Sequence, residues 1–313
     1  MTPRRVLVYH PDEAEAYARL VRAPRGAVRL DVCSAPEEAA AHIAEAEILY
    51  AWKFPLDLLA KAGQLRWIQA MGAGVERFLV HDLPPRVRIT RATGMFGAWM
   101  AEYSLGWFAW FTQRMETFRE AQRQRRWVAL DPQPLHGRTL AIIGLGDIGL
   151  AVARAGAALG MNVIGVSRRG KRQRGVAAVY RPPALKRALG LADFAVVVLP
   201  LTPETYGLIG EAELRTMKPT AWLLNIGRGP VIDEGALLRA LADKWIAGAV
   251  LDVFETEPLP PDHPLWAMPN VVITPHISGP SVPEEIAPVF NDNLRRYLAG
   301  QRLRFLVDRR RGY

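Results

Sequence analysis

Cysteine is almost absent from this 313-residue sequence, in which Cys33 is the only one. A single cysteine excludes an internal disulfide and any cysteine-clustered zinc site, and it fits a reducing compartment. Long uncharged apolar stretches are also missing, so no segment predicts a membrane span. The apolar run near the N-terminus is only about five residues, too short for the core of a signal peptide. We therefore expect a cytoplasmic protein without a membrane partner.

The sequence also lacks internal repeats and low-complexity segments. No group of acids or histidines has the spacing of a metal site, so no metal is expected. The formal net charge of +9 suits nucleic acid, or equally a small anionic substrate and a phosphate-rich cofactor. The basic residues form scattered clusters without interleaved aromatics, which argues against nucleic acid. Five histidines without a strand-end setting are interpreted as structural or surface residues: His10, His42, His81, His136 and His263.

Short apolar runs alternate with helix-like stretches along the chain, which predicts an α/β fold with parallel sheets in two domains. The first third has five strand candidates, RVLVY, VRLDV, EILYA, LRWIQ and VRIT. The second unit has six, TLAIIG, NVIGVS, FAVVVLP, AWLLNIGRG, AGAVLDVF and VVITPH. Between them, residues 98–124 are apolar at helical spacing and predict one long helix, and residues 283–303 predict a helix that stops at Gly300.

A glycine-rich turn, GLGDIG, lies where the strand pattern TLAIIG changes into a helix pattern. In such a turn the first glycine, Gly144, permits the tight bend, and the second, Gly146, lets the backbone approach a pyrophosphate. The third, Gly149, allows close helix–strand packing, and the helix N-terminus favours an anion. The sequence therefore predicts a Rossmann-type dinucleotide-binding domain and a nicotinamide-dependent oxidoreductase.

The end of the next strand, NVIGVS, indicates which nicotinamide cofactor is bound. NAD-binding domains usually carry an acid there for the adenosine ribose, whereas this chain has Ser167, Arg168 and Arg169. A hydroxyl and two guanidinium groups can hold a ribose 2′-phosphate through charge-assisted hydrogen bonds. NADP(H) is therefore favoured, with NAD(H) as the second choice.

Three further strand ends, NIGRG, LDVFETEP and ITPHISG, carry the groups that a carbonyl reduction requires. Arg228 can grip a carboxylate and polarise the neighbouring carbonyl, while His276 donates a proton to its oxygen. Glu257 can hold the imidazole and favour its charged form, with Glu255 and Asp252 as competitors for that role. Taken singly, each of these residues also fits an ordinary turn or surface position.

The order of the motifs GLGDIG, VVVLPLTPET, LLNIGRGPVIDEGAL, GAVLDVFETEPLP and ITPH resembles the D-isomer-specific 2-hydroxyacid dehydrogenases over nearly the whole chain. The resemblance implies that Arg228, Glu257 and His276 form the catalytic set. It also implies that backbone N–H groups of the MGAGVE loop bind the substrate carboxylate, at Ala73 and Gly74.

The same resemblance extends the expected cofactor site, with Asp252 at the nicotinamide carboxamide and Pro200 and Thr205 along the cofactor. The residues expected to bind cofactor are Gly144, Gly146, Asp147, Ile148, Gly149, Ser167, Arg168, Arg169, Pro200, Thr205, Ile226 and Asp252. Those expected to bind substrate are Ala73, Gly74, Arg228 and His276.

The family's domain plan implies a discontinuous, flavodoxin-like substrate domain of residues 1–95 and 280–313, and a doubly wound Rossmann domain of residues 96–279. It also implies a homodimer formed through the long helix. Motif likeness is greatest to members that reduce glyoxylate to glycolate and hydroxypyruvate to D-glycerate, preferring NADPH. The alternatives are a D-lactate or 3-phosphoglycerate dehydrogenase, a formate dehydrogenase, against which Glu257 argues, or a nucleotide-sensing scaffold or corepressor.

Overall fold

The computed structural model describes residues 2–79 and 83–313, so His81 lies outside the described residues. The chain divides into two units, one formed by residues 1–95 and 281–313 and the other by residues 96–280. It passes between them in the segments ATGMFG and HISGPS, both of which contain glycine. That the first unit binds substrate stays a prediction.

Within the described part of the first unit, five short strands form one parallel sheet in the order β2-β1-β3-β4-β5. They are Arg4–Tyr9 (β1), Val28–Cys33 (β2), Ile48–Ala51 (β3), Trp67–Ala70 (β4) and Arg88–Thr90 (β5). Every residue of β3 and β4 is buried, because central parallel strands are covered on both faces. All five predicted strands are confirmed, and their order is that of flavodoxin-like sheets.

Two short helices, Ala14–Arg19 (α1) and Pro36–His42 (α2), follow β1 and β2. His10 follows β1 directly, and its Nδ1 accepts hydrogen bonds from the backbone N–H groups of Asp12 and Glu13, at 3.1 and 2.9 Å. This buried histidine therefore organises the turn that leads into α1, in agreement with its structural interpretation.

The described part of the second unit holds a seven-stranded parallel sheet in the order β12-β11-β10-β9-β6-β7-β8. Its strands are Thr139–Ile143 (β6), Asn162–Val166 (β7), Ala178–Tyr180 (β8), Phe194–Val197 (β9), Trp222–Asn225 (β10), Gly248–Leu251 (β11) and Val271–Ile273 (β12). The order reverses between β6 and β9, the switch point at which doubly wound sheets bind ligands. The predicted α/β, Rossmann-type fold is confirmed.

The prediction of six strands in this unit missed β8, which has three residues and is followed by two prolines. Its hydrogen bonds to β7, and not its own propensity, make it a strand, as the pairing of Val166 with Tyr180 illustrates. Edge strands this short carry too few residues for an apolar pattern to stand out.

The helices of the second unit are Phe96–Thr112 (α3), Met115–Arg123 (α4), Asp147–Ala158 (α5), Leu185–Leu191 (α6), Glu211–Leu214 (α7) and Glu234–Ala242 (α8). The prediction of one long helix over residues 98–124 was wrong. The helix breaks at Arg114, which has a left-handed φ of 57° and donates its N–H three residues back, to Phe111. Among the described residues, no helix has the length and apolarity needed to cross a membrane.

The last helix, Pro283–Leu298 (α9), packs on the sheet of the first unit. Phe290 stacks on Tyr50 with ring centroids 4.0 Å apart. Asn293, which is fully buried, donates to Gln69 at 3.2 Å and accepts from the backbone N–H of Arg304 at 2.8 Å. The helix ends just before Gly300, the predicted stop, whose φ is +67°.

Candidate active site

The turn between β6 and α5 requires glycine at its first and third glycine positions. Gly144 has a φ of +115°, and a Cβ on it would lie 2.6 Å from the carbonyl oxygen of Val198. A Cβ on Gly149 would lie 1.9 Å from the carbonyl oxygen of Gly144, which no real structure permits. These two glycines therefore serve the packing of the turn against its own unit.

The middle glycine, Gly146, is different, because a Cβ on it would meet no protein atom within 4 Å. Gly146 is the N-cap of α5, so the first-turn N–H groups, including those of Asp147 and Ile148, point out of the helix end beside it. This helix end also carries a partial positive charge. The turn thus fits a dinucleotide pyrophosphate, with Gly146 leaving room for the phosphate oxygens to reach the backbone.

A substitution at Gly146 is expected to weaken dinucleotide binding without weakening the fold. Gly146→Ala adds a methyl group that no protein atom opposes, so the melting temperature should stay close to that of the wild type. Overpacking against a bound phosphate costs about 1–3 kcal/mol, which is about 5- to 150-fold in the NADPH dissociation constant. Fluorescence titration with NADPH measures this effect.

Gly149→Ala is the matched control, since its methyl group would overlap Gly144 and should lower the melting temperature. Unchanged NADPH affinity in Gly146→Ala would show that the phosphates do not bind at this turn.

At the end of β7, Ser167 is half-buried and Arg168 and Arg169 are exposed. The backbone N–H of Ser167 donates to the carbonyl of Tyr180 at 3.0 Å, so the end of β8 lies beside this turn. Arg181 follows directly, and its Cγ lies 3.0 Å from where a Cβ on Gly170 would be. Sequence reasoning missed Arg181 because it missed β8, and the structure adds this guanidinium to the basic cluster.

The loop after β9 contains Pro200 and Thr205. The hydroxyl of Thr205 donates to the carbonyl of Pro200 at 2.7 Å and accepts from the N–H of Thr202 at 2.8 Å. Thr205 therefore shapes this turn. Ile226 is buried at the end of β10, where its N–H donates to the carbonyl of Val197. The expected contacts of Pro200, Thr205 and Ile226 with the cofactor stay predictions.

Arg228 lies in the turn after β10, and its side chain is partly exposed. Asn225 clamps this turn, because its side-chain amide donates to the carbonyl of Arg228 and accepts from the N–H of Gly227, both at 3.1 Å. A Cβ on Gly229 would lie 2.0 Å from the carbonyl carbon of Phe254. Glycine at this position therefore lets the Arg228 turn lie directly against the loop that leads to Glu257.

Glu257 and His276 form a hydrogen-bonded pair, with 2.8 Å between Oε2 and Nδ1. The other carboxylate oxygen, Oε1, accepts from the N–H of Phe254 at 3.0 Å. Burial alone would raise the pKa of Glu257, but the hydrogen bonds from His276 and Phe254 lower it. The charges of His276 and Arg228 act in the same direction, so the pKa of Glu257 lies below its usual value.

Because Nδ1 of His276 bonds to Glu257, Nε2 remains as the atom that can face a substrate. The histidine side chain is 45% exposed, so a small molecule can reach it. Of the three acids that competed for the imidazole in the sequence, Glu257 lies in contact with it. Asp252 instead is buried and accepts the backbone N–H groups of Ile277 and Ser278, at 2.8 and 2.9 Å. Its contact with the nicotinamide carboxamide stays a prediction.

Ala73 and Gly74 follow β4 in the first unit, and both are partly exposed. The guanidinium of Arg91 donates to the carbonyl of Ala73 at 3.3 Å, which fixes the orientation of this peptide. Substrate binding by the two N–H groups stays a prediction. Residues 2–79 and 83–313 contain no group of three or more His, Cys, Asp or Glu side chains that could hold a metal ion.

Comparison with known proteins gives a consistent result. Residues 106–278 match the family described as D-isomer specific 2-hydroxyacid dehydrogenase, NAD binding domain. The chain is 35% identical over 276 residues to glyoxylate/hydroxypyruvate reductase A of Serratia proteamaculans, covering 86% of this chain and 88% of that protein.

Two solved structures extend the likeness to nearly every residue. A D-isomer specific 2-hydroxyacid dehydrogenase family protein from Aeromonas salmonicida is 40% identical with a TM-score of 0.92, covering 99% of this chain and 100% of that one. An NADPH-dependent glyoxylate/hydroxypyruvate reductase from Sinorhizobium meliloti, solved with NADP and sulfate, is 29% identical with a TM-score of 0.89, covering 100% of both chains.

Proposed function

The chain belongs to the D-isomer-specific 2-hydroxyacid dehydrogenases, and from that membership we propose that it reduces small 2-oxo acids with NADPH. The substrates we propose are glyoxylate, which gives glycolate, and hydroxypyruvate, which gives D-glycerate. The observation that carries the proposal is the hydrogen-bonded pair of Glu257 and His276, with the charge of Arg228 acting on the same carboxylate. The names of relatives at 35% and 29% identity support the choice of substrates.

In this reaction the guanidinium of Arg228 binds the substrate carboxylate with its planar fork and draws electron density from the neighbouring carbonyl. We propose that the N–H groups of Ala73 and Gly74, in the first unit, also bind substrate. NADPH, when bound, would supply the hydride for the carbonyl carbon. His276 gives the Nε2 proton to the carbonyl oxygen, and Glu257 holds the imidazole by Nδ1 until solvent restores that proton.

The glycine turn at Gly144, Gly146 and Gly149 would hold the pyrophosphate of NADPH. Ser167, with the arginines that follow it, would hold the ribose 2′-phosphate. The absence of an acid at the end of β7 supports NADPH over NADH, since a carboxylate there would repel the phosphate. The position of Arg181 beside this turn adds positive charge to the same end of the sheet.

Charge reversal at Arg168 is expected to change the cofactor preference. Arg168→Asp removes charge-assisted hydrogen bonds to the 2′-phosphate and adds repulsion, so the ratio of kcat/KM with NADPH to that with NADH should fall about 100-fold. Initial rates with the two cofactors at saturating glyoxylate measure the ratio. Arg66→Asp makes the same charge change on an exposed side chain of the first unit and should leave the ratio unaltered. A wild-type ratio in Arg168→Asp would place the phosphate elsewhere.

A panel of 2-oxo acids tests the substrate assignment. The rates of NADPH and NADH oxidation are compared for glyoxylate, hydroxypyruvate, pyruvate and phosphohydroxypyruvate. We expect the highest kcat/KM with glyoxylate or hydroxypyruvate and NADPH. A preference for pyruvate or for phosphohydroxypyruvate would favour the D-lactate or the 3-phosphoglycerate type instead.

We also propose that the protein acts as a homodimer in the cytoplasm. Trp99 on α3 is 42% exposed, and Trp127, just after α4, is fully exposed. Trp107 and Trp110, on α3, are partly exposed as well and lie against each other, with ring centroids 6.2 Å apart. Large apolar side chains exposed in this way favour a protein partner. The lone, buried Cys33 supports a reducing compartment. Sedimentation equilibrium should give twice the mass of one chain.

A further inference from the structure

The turn that carries His276 is held by a buried carboxylate from the neighbouring strand. Asp252 follows β11, and both of its oxygens accept hydrogen bonds from this turn. Oδ1 accepts from the hydroxyl of Thr274 at 2.6 Å and from the N–H of Ile277 at 2.8 Å. Oδ2 accepts from the N–H of Ser278 at 2.9 Å. Three donors on one carboxylate thus fix residues 274–278 to the end of β11.

His276 needs this support because its backbone adopts a conformation that residues other than glycine rarely take. Its φ is +56°, in the left-handed region, and its N–H donates to the carbonyl of Thr274 at 3.1 Å. Such a conformation persists only where the surroundings determine it. Without the donors on both sides of His276, the imidazole would not stay 2.8 Å from Glu257.

The chain of hydrogen bonds extends one step further, to α3. The hydroxyl oxygen of Tyr103 lies 2.6 Å from that of Thr274. Because the only hydroxyl hydrogen of Thr274 is directed to Asp252, Tyr103 must be the donor in this contact. Burial raises the pKa of Tyr103 to about 12, so its phenol keeps the proton that it donates. Tyr103, Thr274 and Asp252 all belong to the second unit.

We propose that Tyr103 is a positioning residue for the general acid: its hydroxyl directs the Thr274 hydroxyl towards Asp252, and Asp252 holds His276 in register with Glu257. Tyr103 does not touch the reacting atoms in this proposal. It acts through Thr274 alone, so its effect should vanish when that hydroxyl is gone. The inference rests on the proposed function, in which His276 is the proton donor.

Tyr103→Phe tests the proposal because it removes one hydroxyl and keeps the ring. Steady-state kinetics with glyoxylate and NADPH are measured for the wild type, Tyr103→Phe, Thr274→Val and the double variant. Loss of one hydrogen bond that orients a catalytic group should lower kcat about tenfold, with both KM values within about twofold of the wild type. In the Thr274→Val background, Tyr103→Phe should cause no further loss. Tyr206→Phe removes a hydroxyl from an exposed tyrosine in the same way. It is the matched control and should leave kcat and both KM values unchanged.

A kcat for Tyr103→Phe within about twofold of the wild type would overturn the proposal, because an orienting hydrogen bond contributes more. So would an equal loss in the Thr274→Val background, since Tyr103 would then act by another route. If Tyr103→Phe does not fold, Thr274→Ser and Thr274→Val test the step on which the route depends, since serine keeps the hydroxyl and should keep kcat whereas valine should lose it. A wild-type kcat in Thr274→Val would overturn the proposal.

Histidine NMR separates this proposal from the proposed function. The Nδ1 resonance of His276, assigned through a His276→Asn variant, reports its hydrogen bond to Glu257 in the protein without cofactor. Tyr103→Phe should move this resonance and leave that of His263 in place. A wild type that reduces no 2-oxo acid would contradict the proposed function alone, and an unmoved His276 resonance would contradict the positioning role alone.

Discussion

Replacing His276 with asparagine is expected to lower kcat for glyoxylate reduction by about 10³-fold, because a positioned general acid contributes about 10²- to 10⁴-fold. Asparagine is a better choice than alanine at this position. The φ of +56° falls in the left-handed region, which asparagine tolerates better than most residues, so the turn should keep its shape. The NADPH dissociation constant should therefore change little. Stopped-flow or steady-state rates and a fluorescence titration measure the two quantities.

The second unit supplies a matched control for this variant. His263 forms another histidine–glutamate pair, with 3.0 Å between its Nε2 and Oε1 of Glu234, and its Nδ1 accepts from the N–H of Leu265. His263→Asn removes an imidazole in the same way and retains an acceptor for Leu265, so its kcat should stay within about twofold of the wild type, as for most structural substitutions outside a site. If His276→Asn keeps wild-type turnover, the proton comes from another group.

The sequence was sufficient to predict both sheets because parallel strands buried on two faces consist of continuous apolar runs. The run from Ile48 to Ala51 and that from Trp67 to Ala70 are examples, and both are buried at every residue. The glycine turn was equally predictable, since its spacing follows from the bend between strand and helix. Predictions failed where an element depends on its neighbours. β8 is a strand because of its pairing with β7, and Arg114 breaks a helix that its local composition favours.

The candidate site, too, was predictable only where its residues follow from strand order. Parallel strands end at one edge of a sheet, so the strand-end positions, together with the family resemblance, predicted that Arg228, Glu257 and His276 would lie together. It did not distinguish Glu257 from Asp252 as the partner of His276, because side-chain direction after a strand depends on the loop. Tyr103 gave no signal at all. It lies on α3, far from the strand ends in sequence, and only the structure brings its hydroxyl to Thr274.

Replacing Arg228 should lower kcat/KM for glyoxylate by an amount that depends on both the charge and the shape of the new side chain. Arg228→Gln removes the charge and the fork that bind the substrate carboxylate, which should cost about 4 kcal/mol, or about 10³-fold in kcat/KM for glyoxylate. Arg228→Lys keeps the charge but loses the two parallel N–H donors, so its loss should be smaller, about 10²-fold. Initial rates over a range of glyoxylate concentrations separate kcat from KM for each variant.

The pH dependence gives a second, independent test of the same residue. The charge of Arg228 contributes to the lowered pKa of Glu257, so Arg228→Gln should let that pKa rise towards its usual value. A protonated Glu257 cannot hold the charged imidazole, and the acid side of the kcat profile should therefore move to higher pH in Arg228→Gln and remain in place in Arg228→Lys. Arg239→Gln, at an exposed guanidinium paired with Glu211, is the control and should alter neither quantity. If Arg228→Gln binds and reduces glyoxylate as well as the Arg239 variant does, the substrate carboxylate is held by other groups, and the N–H groups of Ala73 and Gly74 become the first candidates.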